Sequence, residues 1–294
     1  MKKWFFEYRI PLQIVFISLA FVFFSTQLFS QDIVQKEDQV MQMGEPDNMQ
    51  EDFRSTFIIT YNDNLAPLSY VQDGEIKGIL VDIMQLILVE RLGKEVEHRG
   101  YSWKRAQFMV KTENADAFCT SPSSVRKRYA RFTSIPVFVS SPAIFSGINN
   151  PRKSGIETIG SIDGVRAFSL VDYLGSPWAR NTLPKDILDT MHWVGSLDTV
   201  LRMLAINRYD IYIGDGIIGK YTLMNLGLAD DIFTRTVTIG KSSQYYFAVR
   251  KTHPEAQDIV KEVEHSLKEV SGEGLIERII QGYITPQRTV YPSQ

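Results

Sequence analysis

Cysteine is almost absent. Cys119 is the only thiol in 294 residues, so no internal disulfide can form, and no cysteine lies near the N-terminus to accept a lipid. A chain of this size without disulfides is held by its core, which suits an exported protein of a bacterial periplasm. Histidine is scarce too. His98, His192, His253 and His265 are the four present, in polar, helix-edge or loop settings. None stands four residues from another or in a Cys/His cluster of metal-ligand spacing, so no metal site is expected. There is no G-x-S-x-G elbow for a serine nucleophile. Cys119, closing an apolar run, reads as a small buried residue rather than a nucleophile.

An excess of one charge is also missing. Lys and Arg total 32 against 34 Asp and Glu, a net charge of −2, which argues against nucleic acid as the main partner. The one long apolar run is LQIVFISLAFVFF, beginning at Leu12. It follows Lys2, Lys3 and Arg9 and precedes STQLFSQ. That order of basic, apolar and small residues is a secretory signal over residues 1–30, with cleavage after Ser30. An uncleaved inner-membrane anchor is the alternative, because Leu28 makes the cleavage site imperfect; a run this short is marginal for spanning. Residues 31–52 are rich in Gln, Asp, Glu and Met and read as a polar linker.

What is present is an ordinary globular body, 44% hydrophobic and 22% charged, long enough for two domains. FIITY (57–61) is a buried strand, and QDGEIKG (72–78) carries a DG hairpin signal. ILVDIMQLILVERLG has helical spacing and stops at Gly93. EVEHRGY is a strand, a helix follows around 106–112, and ADAFCT is a strand. Further strands are predicted at 164–169, 209–215, 234–240 and 245–250. Helices are predicted at 197–207 and 217–226, and two more surround SGEG. Strands alternating with helices indicate an α/β fold with largely parallel sheets.

GDGIIG (214–219) follows a strand, opens a helix and fits G-x-G-x-x-G. The next strand lacks the acid that would hold a ribose and is followed by Lys241. The motif also comes late in the chain, whereas a dinucleotide unit begins its domain. A glycine-rich turn that lets backbone approach a ligand is the preferred reading. No cofactor is expected.

Four cations crowd SPSSVRKRYARFTSIP: Arg126, Lys127, Arg128 and Arg131. Arg126 falls in the first turn of the helix that SPSS caps, where the macrodipole disfavours a cation. An arginine there can grip a carboxylate bidentately while the helix N–H groups assist. Lys127, Arg128 and Arg131 read as a solvated face. Thr120 and Ser121 end one strand and Asp215 another, the places where open α/β sheets bind ligands.

An ordered series of segments resembles one family. It runs LAPLSYVQDGEIKGILVDIMQLILVERLG, Trp103, NADAF, SSVRKRYARFT, YDIYIGD, FAVRK and SGEGLIERIIQGY, from Phe57 to Tyr283. This is similar to the bacterial extracellular solute-binding proteins of family 3, the polar amino-acid binders. The resemblance implies a two-lobed periplasmic-binding-protein type II fold, with two mixed sheets joined by two crossing hinge strands. Lobe 1 would be 53–143 with 242–294, and lobe 2 would be 144–241, closing over a ligand by a hinge. Arg126 then matches the arginine that holds an α-carboxylate, and Asp215 the acid that takes the α-ammonium. Trp103 falls on the pocket wall, and Thr120, Ser121 and Ser123 on the ligand-contacting turn. Counting back from Phe132-Thr133 selects Arg126, whereas counting from Asp116 would favour Arg128.

The chain departs from the family at three places. Asn62 and Leu65 replace an acid and an aromatic, and Tyr61 or Tyr70 could supply the aromatic instead. SLVDYLGS (169–176) replaces the Gly-Thr/Ser-Thr turn and brings in Asp172, which would oppose an anion. The implied function is a monomeric periplasmic receptor, not an enzyme, that takes a small polar solute for an ABC importer or a membrane sensor. An enzyme like the cyclohexadienyl dehydratases, using Asp172 or Asp215 as acid/base, is the alternative. An orphan ligand-sensing or interaction module is a third reading.

Overall fold

The computed structural model describes residues 56–285 apart from Gly175. The signal, the linker and the residues past 285 therefore lie outside the described residues. No helix among the described residues is long and apolar enough to cross a membrane.

The first half is built on a mixed sheet. β1 (Phe57–Asn62) is its inner strand. The short hairpin strands β2 (Asn64–Leu65), β3 (Ser69–Gln72) and β4 (Glu75–Lys77) follow, with the DG turn between the last two. Then come α1 (Ile79–Met84), which continues as a π-helical stretch Gln85–Arg91, and β5 (Val96–Tyr101). α2 (Trp103–Lys111) leads to β6 (Ala117–Thr120), and the single turn α3 (Arg126–Tyr129) to β7 (Ala130–Phe132) and β8 (Phe138–Ser140). β1 pairs in parallel with β5 and β6. Helices cover both faces of this sheet, so β1 buries Phe57 through Tyr61 without alternation, as inner parallel strands do.

The chain then crosses into the second half through β9 (Pro142–Gly147). The short helices α4 (Lys153–Glu157) and α5 (Ile162–Val165) precede β10 (Val171–Tyr173). α6 (Pro177–Thr182), α7 (Lys185–Thr190), β11 (His192–Val194) and α8 (Leu197–Ala205) follow. Next are β12 (Tyr212–Asp215), α9 (Gly216–Leu226) and β13 (Ile232–Thr236). β9 lies antiparallel between β12 and β13. β10 pairs in parallel with β11, and a parallel bridge from Leu170 to Ile211 ties that pair to the lead-in of β12. The chain returns as β14 (Ser243–Arg250), antiparallel to β6, β7 and β8, and ends in α10 (Ala256–Gly272) and α11 (Leu275–Ile284).

Both halves therefore hold mixed pairings, and the expectation of largely parallel sheets is corrected: β14 and β9 each insert an antiparallel strand. The strand expected at 164–169 is also corrected. Ser161 caps a helical turn there by accepting a bond from the Gly164 N–H, and pairing begins only with the bridge at Leu170. β13 starts two residues before the expected 234.

Candidate functional site

The ends of β6, α2 and α3 bring together the residues expected on the first half. Arg126 opens α3, and its N–H donates to the Ser123 hydroxyl at 3.2 Å, the cap that SPSS promised. α3 is only four residues long. The helix-start assistance expected for an anion is therefore weak, because too few peptide dipoles add up.

The side chain of Arg126 is fixed by neutral groups. Its Nε donates to the Gln107 Oε1 and its Nη1 to the Ser121 carbonyl, each at 2.8 Å. The guanidinium lies 5.1 Å from the centre of the Trp103 ring. Trp103 in turn meets Phe118 edge-on at 6.2 Å. Among the described residues no carboxylate lies within ion-pair distance of Arg126, and Glu113, a candidate surface partner, pairs with Arg250 at 3.2 Å. Two of five guanidinium donors are spent. The cation thus keeps its charge and part of its fork while its position is set. Gln107 was not foreseen; its place one helical turn after Trp103, on the same face, is the signal that could have found it.

The neighbouring polar residues support this frame. Thr120 is buried at the end of β6 and pairs with Tyr246. The Ser121 hydroxyl donates to the Gln244 carbonyl at 2.7 Å, tying the loop to β14. Asn62 is a turn residue: its side-chain oxygen accepts from the Asn64 N–H at 3.1 Å, and its carbonyl accepts from the Ser69 hydroxyl at 2.7 Å.

Tyr61 as a replacement for the missing aromatic is corrected. It is 1% exposed, in the first core, with its hydroxyl 2.9 Å from the His98 Nδ1. Burial depresses the His98 imidazole to about 4, so this ring is neutral. Tyr70, the other candidate, is half-buried on β3. Its ring centre is 6.2 Å from that of Tyr221 on α9, so this pair spans the two halves. Burial, then the Tyr221 hydroxyl, pushes the Tyr70 phenol up to about 12.

Asp215 is the cap of α9. Its Oδ1 accepts from the N–H groups of Ile217 and Ile218 at 3.1 Å each, and from the Ser140 hydroxyl at 2.5 Å. Ser140 belongs to β8, so this bond crosses the junction of the halves. Burial raises the Asp215 carboxyl, and these hydrogen bonds pull it back only in part.

Asp172 lies on β10 and is 1% exposed. Its Oδ1 accepts from the Tyr173 N–H at 2.7 Å, while its Oδ2 has no hydrogen-bond partner. Burial pushes its carboxyl up to about 6. Tyr173 and Tyr212 are raised by burial first and then by Asp172, with Asp215 also contributing, which places both acids near both phenols.

The glycines of GDGIIG serve this chain's own packing. A Cβ on Gly214 would fall 1.9 Å from the Tyr212 hydroxyl, and one on Gly219 would fall 2.1 Å from the Phe145 ring. Both positions are occupied by aromatic side chains, which corrects the reading of backbone opened to a ligand. Cys119 is buried in the first core, and burial drives its thiol well above the usual range, so it is no nucleophile. Among the described residues no group of three or more His, Cys, Asp or Glu could hold a metal ion.

Searching curated proteins returns no match for this chain. Solved structures share its fold. It is similar to a polar amino acid ABC uptake transporter substrate-binding protein from Streptococcus thermophilus: 19% identity, TM-score 0.64, over 78% of this chain and 86% of that one. It is also similar to the second substrate-binding domain of Lactococcus lactis GlnP in an open conformation: 18% identity, TM-score 0.63, over 83% and 99%. An ancestral cyclohexadienyl dehydratase aligns at 16% identity and TM-score 0.55, over 79% and 94%. These likenesses give the two-lobed type II periplasmic-binding-protein fold. The model of the bacterial extracellular solute-binding proteins, family 3, matches residues 57–286, most of the chain, and the chain belongs to that family.

Proposed function

We propose that the protein is a receptor for a small polar solute bearing a carboxylate, and that Arg126 is its anion anchor. The observation that carries this is the guanidinium held by Gln107, Ser121 and Trp103 with no carboxylate among the described residues to neutralise it. A cation fixed by neutral acceptors is arranged to receive an external anion, and a guanidinium suits a carboxylate's geometry. In this reading the lobes are 53–143 with 242–294 and 144–241, and they close about the connections around β8–β9 and β13–β14. Asp215 faces the ligand's cationic end with the oxygen that α9 does not use. Trp103, Thr120, Ser121 and Ser123 border the anion, and Tyr70 takes the place expected of Tyr61. The receptor works in the periplasm and delivers its solute to an ABC importer or a membrane sensor.

A thermal-shift panel of amino acids, small carboxylates and amines tests the reading. A ligand that binds only the folded state raises the melting temperature, so a carboxylate-bearing compound should raise it and its decarboxylated analogue should not. Silence across the panel would sink the receptor reading.

A second reading, an enzyme on the same fold, draws on one observation. Asp172 is a buried carboxyl raised to about 6, near the range of a working general acid. Turnover of prephenate or arogenate by the purified protein would favour it.

A further inference from the structure

The outer face of the first half carries cations that no acid among the described residues neutralises. Lys104, Arg105 and Lys111 project from α2, and Lys127 and Arg128 from α3; all five are exposed. None forms an ion pair among the described residues. α2 and α3 lie over one core, built on Ile58, Val110, Phe118 and Ala130, so their outer surfaces lie on the same side of the sheet; Arg131 on β7 pairs with Val249 and points to the other side. The acids nearest this face are committed elsewhere: Glu97 to Arg99 at 2.6 Å and Glu113 to Arg250 at 3.2 Å. The opposite side of the same sheet is covered by α1, α10 and α11. There α10 alone brings Asp258, Glu262, Glu264 and Glu269. On that side Arg91, Lys94 and Lys261 pair with acids, whereas among the described residues the cations of the α2–α3 face do not.

Two apolar side chains stand out among the five cations. Phe108 on α2 is 58% exposed and Val125, beside α3, is 52% exposed. Phe108 lies on the same helical face as Lys104 and Lys111, four residues after the one and three before the other. Lysines and arginines surrounding exposed apolar tips match an anionic lipid surface, where charges meet headgroups and the tips enter the acyl boundary. An acidic protein surface with an apolar patch of its own is the competing occupant, and the vesicle test separates the two.

We infer that the face formed by α2 and α3 docks on an anionic phospholipid bilayer, with Phe108 at its contact point. This holds the body of the protein at the membrane surface independently of any solute bound between the lobes.

The test is a polarity-sensitive dye on the full chain, attached through Phe108→Cys; Cys119 is buried and stays unlabelled. The same dye on Ile206→Cys, in the second half and 73% exposed, is the control. Mixed phosphatidylglycerol–phosphatidylcholine vesicles should shift the emission of the dye at 108 to the blue, with no shift at 206. Pure phosphatidylcholine should shift neither, even where the N-terminal segment retains the chain on those vesicles. The variant Lys104→Glu/Lys111→Glu/Lys127→Glu/Arg128→Glu should weaken the response about tenfold or more, and salt of about 0.5 M should have the same effect. Lys261→Glu/Lys268→Glu, on α10, should leave it intact. No shift at 108 on anionic vesicles overturns the inference. So does an equal shift on neutral vesicles, or a shift indifferent to the charge reversals.

Discussion

Arg126 in the first half and Asp172 in the second are both ionisable side chains without an oppositely charged partner, and they are handled in opposite ways. Arg126 is half-buried, keeps its charge and is steadied by Gln107, Ser121 and Trp103. Asp172 is sealed from water, has one oxygen without a partner and meets the desolvation cost by a raised pKa. An unpaired charge left accessible and positioned is available for binding. One buried with too few partners to offset its desolvation is a load on stability.

The largest expected effect is at the buried acid. Its folded value is about 6 against 3.8 for the free carboxyl, which at 1.36 kcal/mol per unit is roughly 3 kcal/mol. The sign follows from the raised value. The folded state holds the proton more tightly, so this contribution is fully present below about 4 and is lost as pH rises through about 6. Asp172→Asn should therefore raise stability at pH 7 by up to about 3 kcal/mol and gain little at pH 4. His98, depressed to about 4, works the other way, losing stability as pH falls below its free value. The difference between wild type and variant in denaturant titrations across that range isolates Asp172. Equal stability of the two at pH 7 would break the contrast between the acid and the arginine.

A smaller change sharpens the other side. Arg126→Lys keeps the charge and loses the planar fork and its seat on Trp103, so affinity for a carboxylate solute should fall about tenfold by calorimetry. Asp215→Ala removes the cap of α9 and should cost about 1 kcal/mol in chemical denaturation. Gln107→Ala leaves Arg126 charged and frees its Nε, and it should weaken the same solute by a few-fold at most, about 0.5 kcal/mol.

The same contrast governs what the sequence disclosed. FIITY, the DG hairpin and the helix at 197–207 were legible because each is stated by local periodicity or turn chemistry. Arg126 was legible because its count to Phe132-Thr133 survives without knowledge of the fold. Tyr61 fails as a stand-in for the missing aromatic for the reason FIITY itself states: β1 is an unbroken apolar run covered on both faces, so the ring is enclosed. The glycines of GDGIIG were misread because their reason lies in Tyr212 and Phe145, aromatic rings that only the folded sheet places against them. The strand expected at 164–169 failed to a Ser161-capped turn, while the true strand VDY is short and broken in pattern by a buried acid. Gln107 left only the weak trace of helical spacing from Trp103.

The claim on which the functional reading rests is that Arg126 is kept charged and unpaired in order to hold an anion. Isothermal titration of wild type and Arg126→Ala with the best carboxylate found in the thermal-shift panel tests it most directly. The expected result is a loss of about 2 kcal/mol or more, roughly 30-fold in affinity, with the melting temperature of the ligand-free protein unchanged. Equal affinity in the two proteins would contradict it.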